Sequence, residues 1–223
     1  MDMKKILQTD LPLKYLAHSE GVNKPLIIFL HGYGSNEGDL FSLRQELMPD
    51  YTYVSVRAPL TLYEGSYQWF SLQLPTGGLL QIEKELMNSE KILEEFISAC
   101  AQKYQTTKDK IILVGFSQGA IMCYQMALKN PELVRGIACL SGMILPTQQI
   151  TPGMDLKNLA IFIGHGTNDQ RVPYFAGEVA YEALLKTSVR PTWRSYQGLG
   201  HSINEHEIKD INEWIQQTLT TPR

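Results

Sequence analysis

Short apolar runs and stretches with helical spacing alternate along this chain. "LIIFL" (26–30), "IILVGF" (111–116), "GIACL" (136–140) and "LAIFIG" (159–164) are unbroken runs of strand length. A strand buried on both faces reads this way, as in parallel sheets covered by helices. "YTYVSV" (51–56) is β-branched and aromatic and stops before Ala58-Pro59. "TWRSY" (192–196) alternates, as a strand nearer an edge does, and "LKYLAH" (13–18) predicts an antiparallel edge strand. The longest helical stripe covers 82–104, with Ile82, Leu86, Ile92, Leu93, Phe96, Ile97 and Cys100 on one side. Further helical patterns cover roughly 38–48, 118–129, 173–187 and 203–219.

This alternation predicts an α/β fold, a mostly parallel central sheet of about seven strands with helices on both faces. Residues 1–223 are expected to form a single domain with no separate lid, because no linker, repeat or low-complexity tract interrupts the pattern. Sheets of this kind place ligands beyond the carboxyl ends of their strands. Two long connections leave those ends, 57–81 and 141–157. Loops of this length are usually functional or disordered. Trp69, Phe70, Met143, Ile144 and Leu145 favour packed walls over disorder, with core packing beneath the loops an equal alternative for each.

Composition narrows the function classes. The chain has 223 residues, 43% hydrophobic and 19% charged, with a net charge of −3 and no basic run. Nucleic-acid binding therefore has no electrostatic support. Lys4-Lys5 is followed only by Ile6-Leu7 before Gln8-Thr9-Asp10, which is no signal-peptide core. No apolar stretch approaches membrane-spanning length, so no stable membrane insertion is expected. Cys100, Cys123 and Cys139 are far apart in apolar surroundings, which reads as buried free thiols in a reducing, cytoplasmic compartment.

"LVGFSQGAI" (113–121) raises the question of chemistry. Gly115-Phe116-Ser117-Gln118-Gly119 matches G-x-S-x-G directly after a predicted strand and before a predicted helix. That context suits a nucleophile elbow, in which a sharp turn exposes Oγ above the sheet. The alternative is a glycine turn with Ser117 as a helix N-cap. A serine nucleophile needs a base, and the base needs an orienting carboxylate, in the order Ser, acid, His. Three histidines follow Ser117: His165, His201 and His206. His206 lies in a helical pattern, and His165 precedes any suitable acid. His201 sits in the glycine-flanked loop "GLGHS" after the strand at 192–196. The aspartates between Ser117 and His201 are Asp155, in a long loop, and Asp169, in "GHGTND" just past a strand end. Elimination and strand-end position thus select Ser117, Asp169 and His201, although Asp169 alone could be a turn or cap residue. Oxyanion donors are expected from the Gln118 N–H and, in "HGYGSN" (31–36), from the Tyr33 N–H. His31 is read as a buried, hydrogen-bonded support of that loop.

The ordered blocks "IIFLHGYGSN", "RAP", "WF", "GFSQGA", "HGTNDQRVP" and "YQGLGHS" resemble the carboxylesterase/phospholipase family of compact α/β hydrolases, which includes the acyl-protein thioesterases. The resemblance runs from about residue 24 to 218. It implies an ester hydrolase that works without metal or cofactor on a small-molecule ester or thioester. It also implies a nucleophile at Ser117, acid at Asp169, base at His201, oxyanion donors at Tyr33 and Gln118, and a homodimer as the family's common assembly. Where eukaryotic thioesterases carry Leu followed by Gly-Asp-Thr-Gly, this chain has Tyr33 followed by Gly34-Ser35-Asn36-Glu37. The loop is closer to bacterial carboxylesterases, which favours small esters over acylated proteins. Acyl-protein thioesterase or lysophospholipase activity, acyl transfer to an acceptor other than water, and a catalytically silent ligand-binding protein on the same fold are the remaining alternatives.

Overall fold

The computed structural model describes residues 6–73 and 76–221; Lys4 and Lys5 lie outside them. Strands β1 (Tyr15–His18), β2 (Leu26–Leu30) and β3 (Thr52–Val56) are followed by a small hairpin, β4 (Leu60–Tyr63) and β5 (Ser66–Gln68). Helix α1 (Gly78–Lys103), strand β6 (Ile111–Phe116), helix α2 (Gln118–Lys129) and strand β7 (Gly136–Leu140) come next. Strand β8 (Ala160–Gly166), helix α3 (Tyr174–Leu185), strand β9 (Thr192–Tyr196) and helix α4 (Glu205–Thr220) complete the order.

Seven strands form one sheet in the order β1-β3-β2-β6-β7-β8-β9, parallel throughout except for β1, which runs antiparallel to β3. The α/β hydrolase fold expected from the sequence is the fold present. The unbroken apolar runs have a direct cause. In β2 and β6, Leu26, Ile28, Leu30, Ile111 and Leu113 enter one core cluster, whereas Ile27, Phe29, Ile112 and Val114 enter the other. The first cluster is closed by α1, α2 and α3, through residues such as Phe96, Met122 and Leu184. The second is closed by α4, through Ile211, Trp214 and Ile215. Neither face of the central strands meets water, so no polar alternation is left to read.

The chain runs from β2 to one side of the sheet and from β6 to the other. The carboxyl ends of β2 and β6, paired from Leu26–Ile111 to Leu30–Gly115, therefore flank the switch point where ligands bind in open α/β sheets.

Three local features differ from the periodicity. The helix expected over 38–48 is a 3-10 helix, Leu40–Glu46, in which only Leu40 and Phe41 are buried. Helix α1 begins at Gly78, ahead of its apolar stripe, because Leu79 and Leu80 face solvent. The connection 57–81 holds the β4–β5 hairpin, whose first strand alternates between half-buried and exposed positions.

Candidate active site

Strand β6 ends at Phe116, and Ser117 turns the chain into α2 with φ 55° and ψ −116°. A non-glycine residue held there costs of order 1–3 kcal/mol and stays only where its surroundings fix it. The Ser117 N–H donates to Leu140 O at 2.9 Å, tying the elbow to the end of β7. Tight packing does the rest. A Cβ on Gly119 would overlap the Leu30 carbonyl, and one on Gly115 would overlap the Gly119 carbonyl. Only glycine at both positions lets α2 start this close to β2 and β6. The Ser117 side chain does not cap the helix.

Its Oγ instead lies 3.0 Å from His201 Nε2. His201 Nδ1 lies 2.7 Å from Asp169 Oδ2. A carboxylate can only accept, so Nδ1 carries the proton and Nε2 presents its lone pair to the serine. The His201 ring packs on Phe116, with centroids 4.8 Å apart. Asp169 is buried and its other oxygen accepts the N–H groups of Arg171 and Val172, both at 2.9 Å. Burial alone would raise its pKa; the hydrogen bonds from His201, Val172 and Arg171 outweigh that and hold it below the ordinary value. The turn role expected of Asp169 and its contact with His201 thus coexist, one oxygen serving each.

Two loops carry Asp169 and His201, and they are laced together. Thr167 N–H donates to Tyr196 O and Asn168 N–H to Leu199 O, while Gly198 N–H donates to Thr167 Oγ1. The other candidates stand outside this chain of contacts. Asp155 is exposed and paired with Lys157 at 3.0 Å. His206 is exposed on α4. His165 is fully buried in β8; its Nε2–H donates to Val172 O at 2.9 Å, and its Nδ1 has no partner. Burial lowers its pKa, which keeps it neutral beside Asp169.

The loop after β2 lies against the elbow, where a Cβ on Gly32 would stand 3.3 Å from Ser117 Cβ. His31 is fully buried, as expected of a loop support. Its Nδ1–H donates to Gly32 O at 2.8 Å and its Nε2 accepts the Ala58 N–H at 3.1 Å. The pair of bonds fixes a neutral tautomer, and burial lowers the ring's pKa in the same sense. With the Gly32 carbonyl held from one side, the trans peptide directs the Tyr33 N–H to the other.

The five apolar wall candidates divide into two groups. Met143, Ile144 and Leu145 are half-buried beyond β7 and pack on the core. Phe70 is 4% exposed and Trp69 is 0% exposed, so Trp69 offers no surface to a substrate. The side chain of Gln118 was invisible to sequence reasoning. Its Oε1 accepts the Trp69 N–H at 2.8 Å and its Nε2 donates to Phe70 O at 2.6 Å. Among the described residues, no group of three His, Cys, Asp or Glu is arranged to hold a metal, and no helix is long and apolar enough to cross a membrane.

Residues 14–219 match the family model described as phospholipase/carboxylesterase. The chain belongs to the phospholipase/carboxylesterase family. Within the family it is 28% identical over 202 residues to the Bacillus subtilis protein MhqD, covering 91% of this chain and 98% of that one. It is 28% identical over 213 residues to acyl-protein thioesterase 1 of Candida albicans, covering 86% of this chain and 91% of the relative. The crystal structure of the Bacillus cereus carboxylesterase superposes with a TM-score of 0.76 at 25% identity, covering 92% of this chain and 94% of that one. This family member is a carboxylic ester hydrolase.

Proposed function

We propose that this enzyme cleaves carboxylic esters of small to medium acyl chains through an acyl-enzyme on Ser117, with His201 as base and Asp169 as its orienting acid. The observation that carries the reading is the continuous contact from Ser117 Oγ to His201 Nε2 at 3.0 Å and from His201 Nδ1 to Asp169 Oδ2 at 2.7 Å. His201 takes the Oγ proton as the serine attacks the acyl carbon. The Tyr33 and Gln118 N–H groups donate hydrogen bonds to the developing oxyanion. His201 then protonates the departing alcohol or thiol, and water repeats the attack on the acyl-enzyme. Asp169 stabilises the imidazolium without taking its proton.

Met143, Ile144 and Leu145 are proposed as the acyl-side wall. Thioesters suit the same mechanism, since only the leaving group differs. Residues 1–223 act as one domain in this proposal. The buried free thiols of Cys100, Cys123 and Cys139 suit a reducing compartment, so we place the enzyme in the cytoplasm. A fluorophosphonate probe tests the central claim: it should label Ser117, and an unlabelled protein would point to a silent binding module. A chain-length series of matched esters and thioesters then defines the substrate.

A further inference from the structure

We propose that Trp69 is a positioning residue that sets the spacing between the two oxyanion donors. The inference rests on the acyl-enzyme reading above and assigns a role to a side chain that never meets substrate.

Trp69 follows the β4–β5 hairpin and is fully buried. Each of its polar groups is engaged. The indole Nε1–H donates to His31 O at 3.0 Å. The backbone N–H donates to Gln118 Oε1 at 2.8 Å. The carbonyl accepts from Ser89 Oγ, on α1. His31 O lies one residue before the Gly32–Tyr33 peptide, which carries one proposed donor. Gln118 carries the other donor on its own N–H. One residue is therefore bonded to both halves of the oxyanion hole, which come from loops after different strands. Helix α1 braces it from behind.

A purely space-filling role would not need this arrangement. A phenyl or isobutyl group fills an apolar gap without a donor to satisfy. The indole N–H matters because His31 O is buried and would otherwise lack this donor. The hydrogen bond holds the start of the oxyanion loop against the Trp69 backbone, and the Gln118 amide holds that backbone against the elbow. Misplacing a catalytic group by about 1 Å costs on the order of 100-fold in rate, and losing one oxyanion donor costs on the order of 100- to 1,000-fold.

The test replaces Trp69 and reads chemistry separately from binding. With Trp69→Phe, kcat on a short-chain ester should fall about 10- to 100-fold, up to the cost of a misplaced group and short of a lost donor, while KM stays within about twofold. Affinity for a trifluoromethyl ketone, whose adduct places an oxyanion in the hole, should fall by the same factor. If Trp69→Phe does not fold, Trp69→3-benzothienylalanine keeps the bicyclic shape and removes only the N–H donor. Gln118→Met, which retains the backbone N–H but frees Trp69, should lower kcat in the same direction. Unchanged kcat and unchanged ketone affinity in folded Trp69 variants would overturn the inference, even with a lower Tm. That failure is distinct from failure of the underlying reading, which Ser117→Ala decides.

Discussion

The two long connections at the carboxyl end of the sheet are built in opposite ways. Connection 57–81 is bonded to the loops that carry the proposed chemistry. Its hairpin pairs with the loop after β2, with Gly34 N–H donating to Tyr67 O and Tyr67 N–H to Ser35 O. Arg57 forms a two-pronged bond to Glu37 and stacks over the Tyr67 ring at 4.4 Å. Trp69 and Phe70 bond to Gln118. Connection 141–157 is tied mainly to itself and to the segment after α3, through Gln148 N–H to Leu145 O, Gly153 N–H to Lys186 O and Leu156 N–H to Ser188 Oγ. It contributes half-buried apolar side chains rather than polar ties. Similar length and similar sheet position thus conceal a division: the first connection braces the loops of the proposed chemistry, and the second carries the proposed acyl-side wall.

That division is broken first at the proposed nucleophile. Ser117→Ala should lower kcat on an activated short-chain ester on the order of 10⁶-fold, as loss of a triad serine does elsewhere. Retained turnover would place the chemistry somewhere neither connection serves. The next effect concerns the acid. Asp169→Asn should cut kcat by about 10⁴-fold through the wrong imidazole tautomer, with far-UV circular dichroism unchanged. Asp155→Asn, in the second connection, should leave kcat alone; the reverse pattern would exchange the roles of the two connections.

Smaller effects should appear in selectivity. A methylene in an apolar pocket is worth about 1–3 kcal/mol of discrimination. Met143→Ala and Leu145→Ala should therefore move the optimum of an acyl-chain series while changing kcat on acetate esters little. A uniform fall in kcat would mean that 141–157 also positions the reacting groups. The smallest effect lies away from both connections. Glu207 is buried at the start of α4, and burial, with Asp210 adding to it, pushes its carboxyl up to about 8. Its folded pKa exceeds the unfolded value, so the stability it contributes is full in acid and is lost as pH rises toward 8. Glu207→Gln should flatten Tm against pH between about 5 and 8, the window set by that shift, without altering the kcat profile. An unchanged slope would mean that Glu207 titrates normally.

Much of this was legible in the sequence for a physical reason. Strands β2, β6, β7 and β8 are buried on both faces, so their runs stand out. The order of the proposed triad follows from which loops share the carboxyl end of the sheet. The site's framework was not legible, because it is made of contacts distant in sequence. Trp69 meets residues 31, 89 and 118, and nothing near position 69 announces them. An apolar pair in a long loop reads equally as wall or core, and Trp69 proved to be core. The hairpin had a readable signal in Glu64-Gly65 between alternating residues, but one half-exposed strand makes a weak pattern. Chain order sets His165 aside, but it says nothing of a ring buried beside Asp169.

The backbone angle at Ser117 has a consequence for how this chain can change. Glycine would occupy φ 55° without strain, so selection for thermal robustness alone would favour losing the serine. The position that carries the proposed reaction is thus one where durability and turnover pull in opposite directions. Any screen for hardier variants that does not also demand activity will drift toward a quieter, longer-lived protein, beginning at residue 117.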